Sequence, residues 1–204
     1  MAAWRGVFRE TAILGLLSGL WLTTPTSASP FMVTGSVTSQ PIGHYDLCKK
    51  IPAECLVRSR NQRPEKMSPA LLKAITSVNL EVNKAIKPVN DIDIFGRDEV
   101  WAYPDNGVGD CEDYVLEKRR RLMKAGLSVA NLLITVVRKP DGEGHAVLTV
   151  RTDKGDYILD NLTDRVALWS DTNYRFLKRQ ASFDSGRWVT LREDNNLLVG
   201  AVRN

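Results

Sequence analysis

Apolar and polar positions follow two rhythms along this chain, and the change between them divides it. Leu71, Leu72, Ile75, Val78, Val82 and Ile86 recur at spacings of three and four, which puts them on one stripe of a helix. Ser68 as N-cap and Pro69 as first helical residue open that helix, and it ends before Pro88. A second helical pattern runs over residues 111–125, turns Tyr114, Val115, Leu122 and Met123 toward a core, and stops at Gly126. Short apolar runs bounded by turns then take over. Residues 131–138 (NLLITVVR), 145–152 (HAVLTVRT) and 156–160 read as strands, with 175–179 and 188–191 as further strands. Helices followed by an antiparallel meander make an α+β pattern. Residues 90–104 read as a connector carrying Trp101 and Tyr103, and residues 29–66 show neither rhythm. That segment is expected to be an irregular N-terminal arm leading into one domain over residues 67–204.

The start of the chain reads differently again. Arg5 and Arg9 precede the apolar run TAILGLLSGLWL at residues 11–22, Pro25 breaks it, and Thr26-Ser27-Ala28 is a small-residue cleavage signal. This is the pattern of a secretory signal peptide over residues 1–28. The run is short for a membrane span, which needs about 20 apolar residues. The expected destination is the periplasm or the exterior. Net charge is +4 over 204 residues with no long basic tract, so a nucleic-acid partner is not expected. The densest basic cluster, Lys118-Arg119-Arg120-Arg121, lies within the second helical pattern and reads as a solvated helix face.

Export changes the meaning of the three cysteines. Cys48 and Cys55 are seven apart around Pro52, and in an oxidising compartment a local disulfide is expected. The alternative is a metal pair, for which only His44 is a nearby further ligand. Pairing them leaves Cys111 as the odd thiol.

Cys111 stands between Asp110 and Glu112 at the start of the second helix. Unpaired N–H groups and the helix dipole favour a thiolate there. The flanking carboxylates oppose it. Asp110, Glu112 and Asp113 either pair with arginines, hold a hard cation such as Ca²⁺, or simply complement the helix N-terminus. His145 follows a Gly-rich turn and Asp160 ends the next strand of the same hairpin. A Cys, a His and an Asp in that order are the parts of an activated thiol nucleophile. Whether His145 and Asp160 meet depends on the turn between them. A two-residue turn at Asp153-Lys154 pairs Val147 with Asp160 and puts His145 on the same face, one diagonal step away. A three-residue turn puts them on opposite faces unless a bulge intervenes.

The string Gly109-Asp-Cys-Glu-Asp-Tyr114, with Lys118, Leu122 and Gly126, then Val137-Arg138, His145-Ala-Val-Leu148 and Leu159-Asp160-Asn161, resembles the bacterial transglutaminase-like cysteine peptidases, whose best-known members are the LapG-type periplasmic proteases. The resemblance covers roughly residues 97–169. It implies a papain- or transglutaminase-like fold, with a Cys-bearing helix packed on an antiparallel sheet that carries the His and Asp. It implies Cys111 as nucleophile, His145 as general base and Asp160 as the residue orienting the imidazole. It also implies Ca²⁺ held by Asp110 and Glu112, with Asp113 as a further ligand. The activity implied is that of a monomeric exported endopeptidase cutting a cell-surface or envelope protein through a thioester, under an inner-membrane receptor. The same thioester serves transglutaminase or amidase chemistry, and a non-catalytic envelope module on this fold is the alternative outside enzymes.

Overall fold

The computed structural model describes residues 29–192 together with the first two residues; the expected signal peptide otherwise lies outside the described residues. In chain order the elements are β1 (Val33–Thr38), α1 (Ile42–Lys50), α2 (Pro69–Ala85), β2 (Lys87–Pro88), α3 (Asp91–Phe95), β3 (Val108–Gly109), α4 (Cys111–Lys124), β4 (Leu132–Arg138), β5 (Gly144–Thr152), β6 (Gly155–Leu159), β7 (Ala167–Leu168), β8 (Arg175–Ala181) and β9 (Asp184–Arg192). Seven strands form one antiparallel sheet in the order β1-β9-β8-β4-β5-β6-β7, and β2 pairs with β3 in a small parallel ladder. The fold is α+β. The sheet is not a simple meander, because β8 returns past β6 and β7 to pair with the free edge of β4.

Both long helices begin and end where the local chemistry says they should. Ser68 Oγ accepts from the Leu71 N–H at 3.1 Å, and Pro69 occupies the first turn of α2, where its missing N–H is harmless. Helix α4 opens with Asp110 as N-cap in extended conformation, and Gly126 just beyond it has φ 94°. The apolar face of α4 (Val115, Leu116, Leu122) packs with Ile75 of α2 onto Ile134, Ala146, Leu148 and Leu159. Val137, Val147, Ile158 and Phe176 lie in a second cluster with Met32. The two clusters take alternate residues of β5, as the period of a strand requires when both faces are covered. Met123, expected toward the core, is instead exposed.

Residues 29–66 are more than an arm. They supply the edge strand β1, which pairs with β9, and α1, which buries His44 and Leu47 against the sheet. The sequence of β1, Val-Thr-Gly-Ser-Val-Thr, has a glycine, a serine and two threonines against two valines, so it carries little apolar signal of a strand. Cys48 and Cys55 form a disulfide, with Cα atoms 5.5 Å apart.

The basic run on α4 is a second correction. Lys118 is 0% and Arg119 1% exposed. They follow Val115 by three and four residues, so the helix turns them inward with the apolar stripe. Arg119 donates to the Leu132 carbonyl at 3.2 Å and pairs with Glu54 in the disulfide loop. Only Arg120 and Arg121 lie toward solvent, both paired with Glu117.

The β5–β6 hairpin resolves the register left open by the sequence. Thr152 pairs with Gly155 and Leu148 with Leu159, so the turn is the two residues Asp153-Lys154. Thr152 Oγ1 donates to the Gly155 carbonyl at 2.8 Å. Gly155 has φ 138°, and a Cβ there would stand 2.6 Å from Leu168. Continuing this register places Val147 opposite Asp160, with His145 on the same face.

Candidate active site

Helix α4 and strand β5 pack against each other, and each begins at the candidate site: Cys111 is the first residue of α4, and His145 the second of β5. The backbone N–H of Ala146, next to His145 on β5, favours a charged Cys111 sulfur and works against the upward shift of the thiol. Cys111 and His145 together line two adjoining hollows of about 510 and 580 Å³. Acids and Lys139 dominate one; Pro41, Ile42, Trp101 and Val136 give the other an apolar wall. The arrangement is a cleft with a thiol and an imidazole at its middle.

His145 Nε2 donates to Asp160 Oδ1 at 2.8 Å, and both side chains are buried. The same oxygen accepts from the Leu162 N–H at 3.0 Å, and Oδ2 accepts from the Tyr174 hydroxyl at 2.5 Å. Burial alone would raise the Asp160 carboxyl. The bonds from His145, Leu162 and Tyr174 outweigh it and hold the group below its ordinary range. Tyr174 is driven up by its own burial and by this bond, and remains a phenol that donates.

The acids around Cys111 are crowded. Asp113 Oδ1 accepts from the Ala102 N–H at 2.8 Å, and the turn into α4 works only because residue 109 is glycine: a Cβ there would stand 2.6 Å from Asp113 Oδ2. Asp91 Oδ2 accepts from the Val100 N–H at 2.5 Å. Cys111 Sγ donates to Glu112 Oε2 at 3.2 Å. Burial, reinforced by the Asp110 charge, raises Glu112 and pushes Asp113 up to about 7. Burial and the charges of Glu112 and Asp110 push the Cys111 thiol well above its ordinary value. Helix position alone does not make this thiol a thiolate; its carboxylate neighbours need a counter-charge.

The six residues singled out in the sequence thus gather at one end of α4. Asp91 was not foreseen among them, although its carboxylate joins Asp110 and Asp113 in a set whose oxygens lie within 4.8 Å of one another. Its only signal was its charge, in a connector without periodicity. The Tyr103 hydroxyl is committed away from the thiol, because it donates to Glu54 at 2.6 Å. Trp101 borders the cleft and packs edge-on against His44 and Trp188.

The model of the family described as bacterial transglutaminase-like cysteine proteinase, BTLCP, matches residues 34–196. The chain belongs to this family. As a bacterial transglutaminase-like cysteine peptidase it resembles two structures of Legionella pneumophila LapG. The calcium-bound LapG superposes with a TM-score of 0.51 at 25% identity, covering 63% of this chain and 74% of that one. A second LapG structure gives 0.50 at 26% identity, covering 61% and 71%. No curated protein sequence matches. In this peptidase, no helix among the described residues is long and apolar enough to cross a membrane.

Proposed function

We propose that this peptidase is an exported endopeptidase that cuts a protein substrate, an envelope or cell-surface protein, through a thioester on Cys111. His145 serves as base and then acid, and Asp160 orients it. The observation that supports this reading is the shared cleft: the free cysteine opens a helix on one wall, and an imidazole already bonded to a buried carboxylate stands beside it.

With Nε2 engaged by Asp160, Nδ1 of His145 is the nitrogen left to take the thiol proton. The Cys111 sulfur adds to the substrate carbonyl carbon, and the developing oxyanion accepts from the backbone N–H at the start of α4. The C–N bond then breaks as Nδ1–H protonates the leaving amine. Water, giving its proton to the same nitrogen, adds to the thioester carbon. The carboxylic acid departs and the thiol is restored.

The acids beside the thiol fit a hard divalent cation. Asp91 Oδ1 and Asp110 Oδ1 are buried without a hydrogen-bond partner among the described residues, which is costly unless something else meets them. The likeness to calcium-bound LapG points to Ca²⁺. Asp91, Asp110 and Asp113, with Glu112, would hold it. When bound it supplies positive charge that offsets the carboxylate field on the thiol.

Iodoacetamide labelling at neutral pH tests the nucleophile. Cys111 should react faster than an unfolded thiol, and Cys111→Ala cells should retain a surface protein that wild-type cells shed. Equal reactivity and an unchanged surface would end the endopeptidase reading. Incorporation of a primary amine without cleavage would replace hydrolysis by acyl transfer. For calcium, EGTA should lower the melting temperature and slow the labelling, and Asp91→Asn should mimic it. Indifference to both would remove the metal.

A further inference from the structure

We infer that Tyr174 is a positioning residue of the site: its hydroxyl locks the Asp160 carboxylate so that Oδ1 faces the imidazole. The inference rests on the peptidase reading above and deepens it. A carboxylate has two oxygens and a free rotation about its Cβ–Cγ bond. Only one oxygen can serve His145, so something must fix which one and in what plane. Asp160 Oδ1 takes the His145 Nε2–H at 2.8 Å and the Leu162 N–H at 3.0 Å. Among the described residues Oδ2 has a single hydrogen-bond partner, the Tyr174 hydroxyl at 2.5 Å. Asp160 is 2% exposed, so without the phenol Oδ2 would be a buried charged oxygen lacking a donor, which is costly. Rotation toward any other donor would break the bond to His145.

The same residue touches the imidazole. The Tyr174 ring meets the His145 ring edge-on, with centroids 5.7 Å apart and planes at 61°. One side chain therefore limits the tilt of the base and the rotation of its acid. Tyr174 and Asp160 also line a hollow of about 280 Å³ that neither Cys111 nor His145 borders. The phenol thus caps the carboxylate on a side that the cleft does not reach. Such a carboxylate–imidazole unit gains from a third, rigid member, because a small loss of alignment is expensive in rate.

Tyr174→Phe keeps the ring and deletes the donor. The chain has two histidines, so the His145 Nε2–H proton can be assigned by NMR with His44 as the only competitor. In wild type this proton should give a sharp downfield signal. In Tyr174→Phe it should broaden by exchange, and alkylation of Cys111 by iodoacetamide should slow by about tenfold, the rate equivalent of one hydrogen bond to a charged group. Should the Phe variant fail to fold, a fluorinated tyrosine placed at 174 keeps the shape and strengthens the donor. It should move the same proton signal upfield, because Asp160 then pulls less on it. An unchanged His145 signal and alkylation rate per folded molecule, even with a lower melting temperature, would reduce Tyr174 to a packing residue and overturn the inference. Failure of the peptidase reading looks different: wild-type Cys111 would be unreactive, while Tyr174→Phe would still disturb His145.

Discussion

Lys118 shows most sharply how residue identity and residue environment can part. It is fully buried on α4, and its Nζ has no hydrogen-bond partner among the described residues. Its surroundings are the Tyr114 ring, 5.9 Å from Nζ, and the charges of Asp160 and Asp164. Burial drives it down to about 7, and the two aspartates only partly oppose this. The folded-state value is lower than the unfolded one, so folding is unpenalised only above the unfolded value. The penalty grows as pH falls and is complete below about 7. Lys118→Met should therefore stabilise the protein at pH 7 by roughly 1–3 kcal/mol. Denaturant melts should show the advantage shrinking between pH 7 and 10. An advantage independent of pH would mean the ammonium is solvated. Legibility at this scale followed chemistry. Cys111, His145 and Asp160 stood out because reactive residue types sat at element ends. Asp91 opens the short helix α3 and Tyr174 directly precedes β8, and only the tertiary fold brings them to the others. Lys118 and Arg119 misled because a run of cations resembles a solvated face, although the spacing from Val115 already turned them inward.

Among elements, the disulfide loop has a reach beyond its length. It carries Glu54, whose two oxygens take the Tyr103 hydroxyl and the buried Arg119 guanidinium. Arg119 belongs to α4, so the loop clamps the helix that begins at Cys111. Replacing both Cys48 and Cys55 by Ser should cost about 2–3 kcal/mol from loop closure alone. Glu54→Gln should cost a comparable amount, roughly 2–3 kcal/mol, because it strips the counter-charge from a buried guanidinium while keeping the disulfide. Chemical denaturation of the two variants separates these contributions; a neutral Glu54→Gln would mean that the Leu132 carbonyl suffices for Arg119. Helices α2 and α4 were legible almost to the residue, since caps and stripes are local signals. Strand β1 was not, because its partner β9 lies at the far end of the chain. The hairpin turn admitted two readings, and the Thr152–Gly155 pairing chose between them.

At the scale of the whole molecule, His44 joins α1 to the sheet. Trp188 Nε1–H donates to its Nδ1 at 3.2 Å, and Trp101 and Trp188 stand edge-on to its ring. Burial, then the Arg119 charge, lowers it to about 4, with Glu54 opposing. A His held below its unfolded value contributes stability that is present above about 6.5 and lost as pH falls toward 4, here about 3 kcal/mol. His44→Gln should flatten the fall in melting temperature over that window relative to wild type. An unaltered acid slope would place the acid lability elsewhere. The α+β class was readable from rhythm alone, but the sheet order was not, because β8 pairing with β4 and β9 with β1 are closures between distant segments. The β1–β9 ladder has a temporal consequence. Among the described strands, β1 is made first and its partner β9 last, so a chain growing from its N-terminus leaves the sheet open at that edge until β9 exists. Cutting it short before residue 184 would strand β1 as an unpaired edge, open to pairing with another copy.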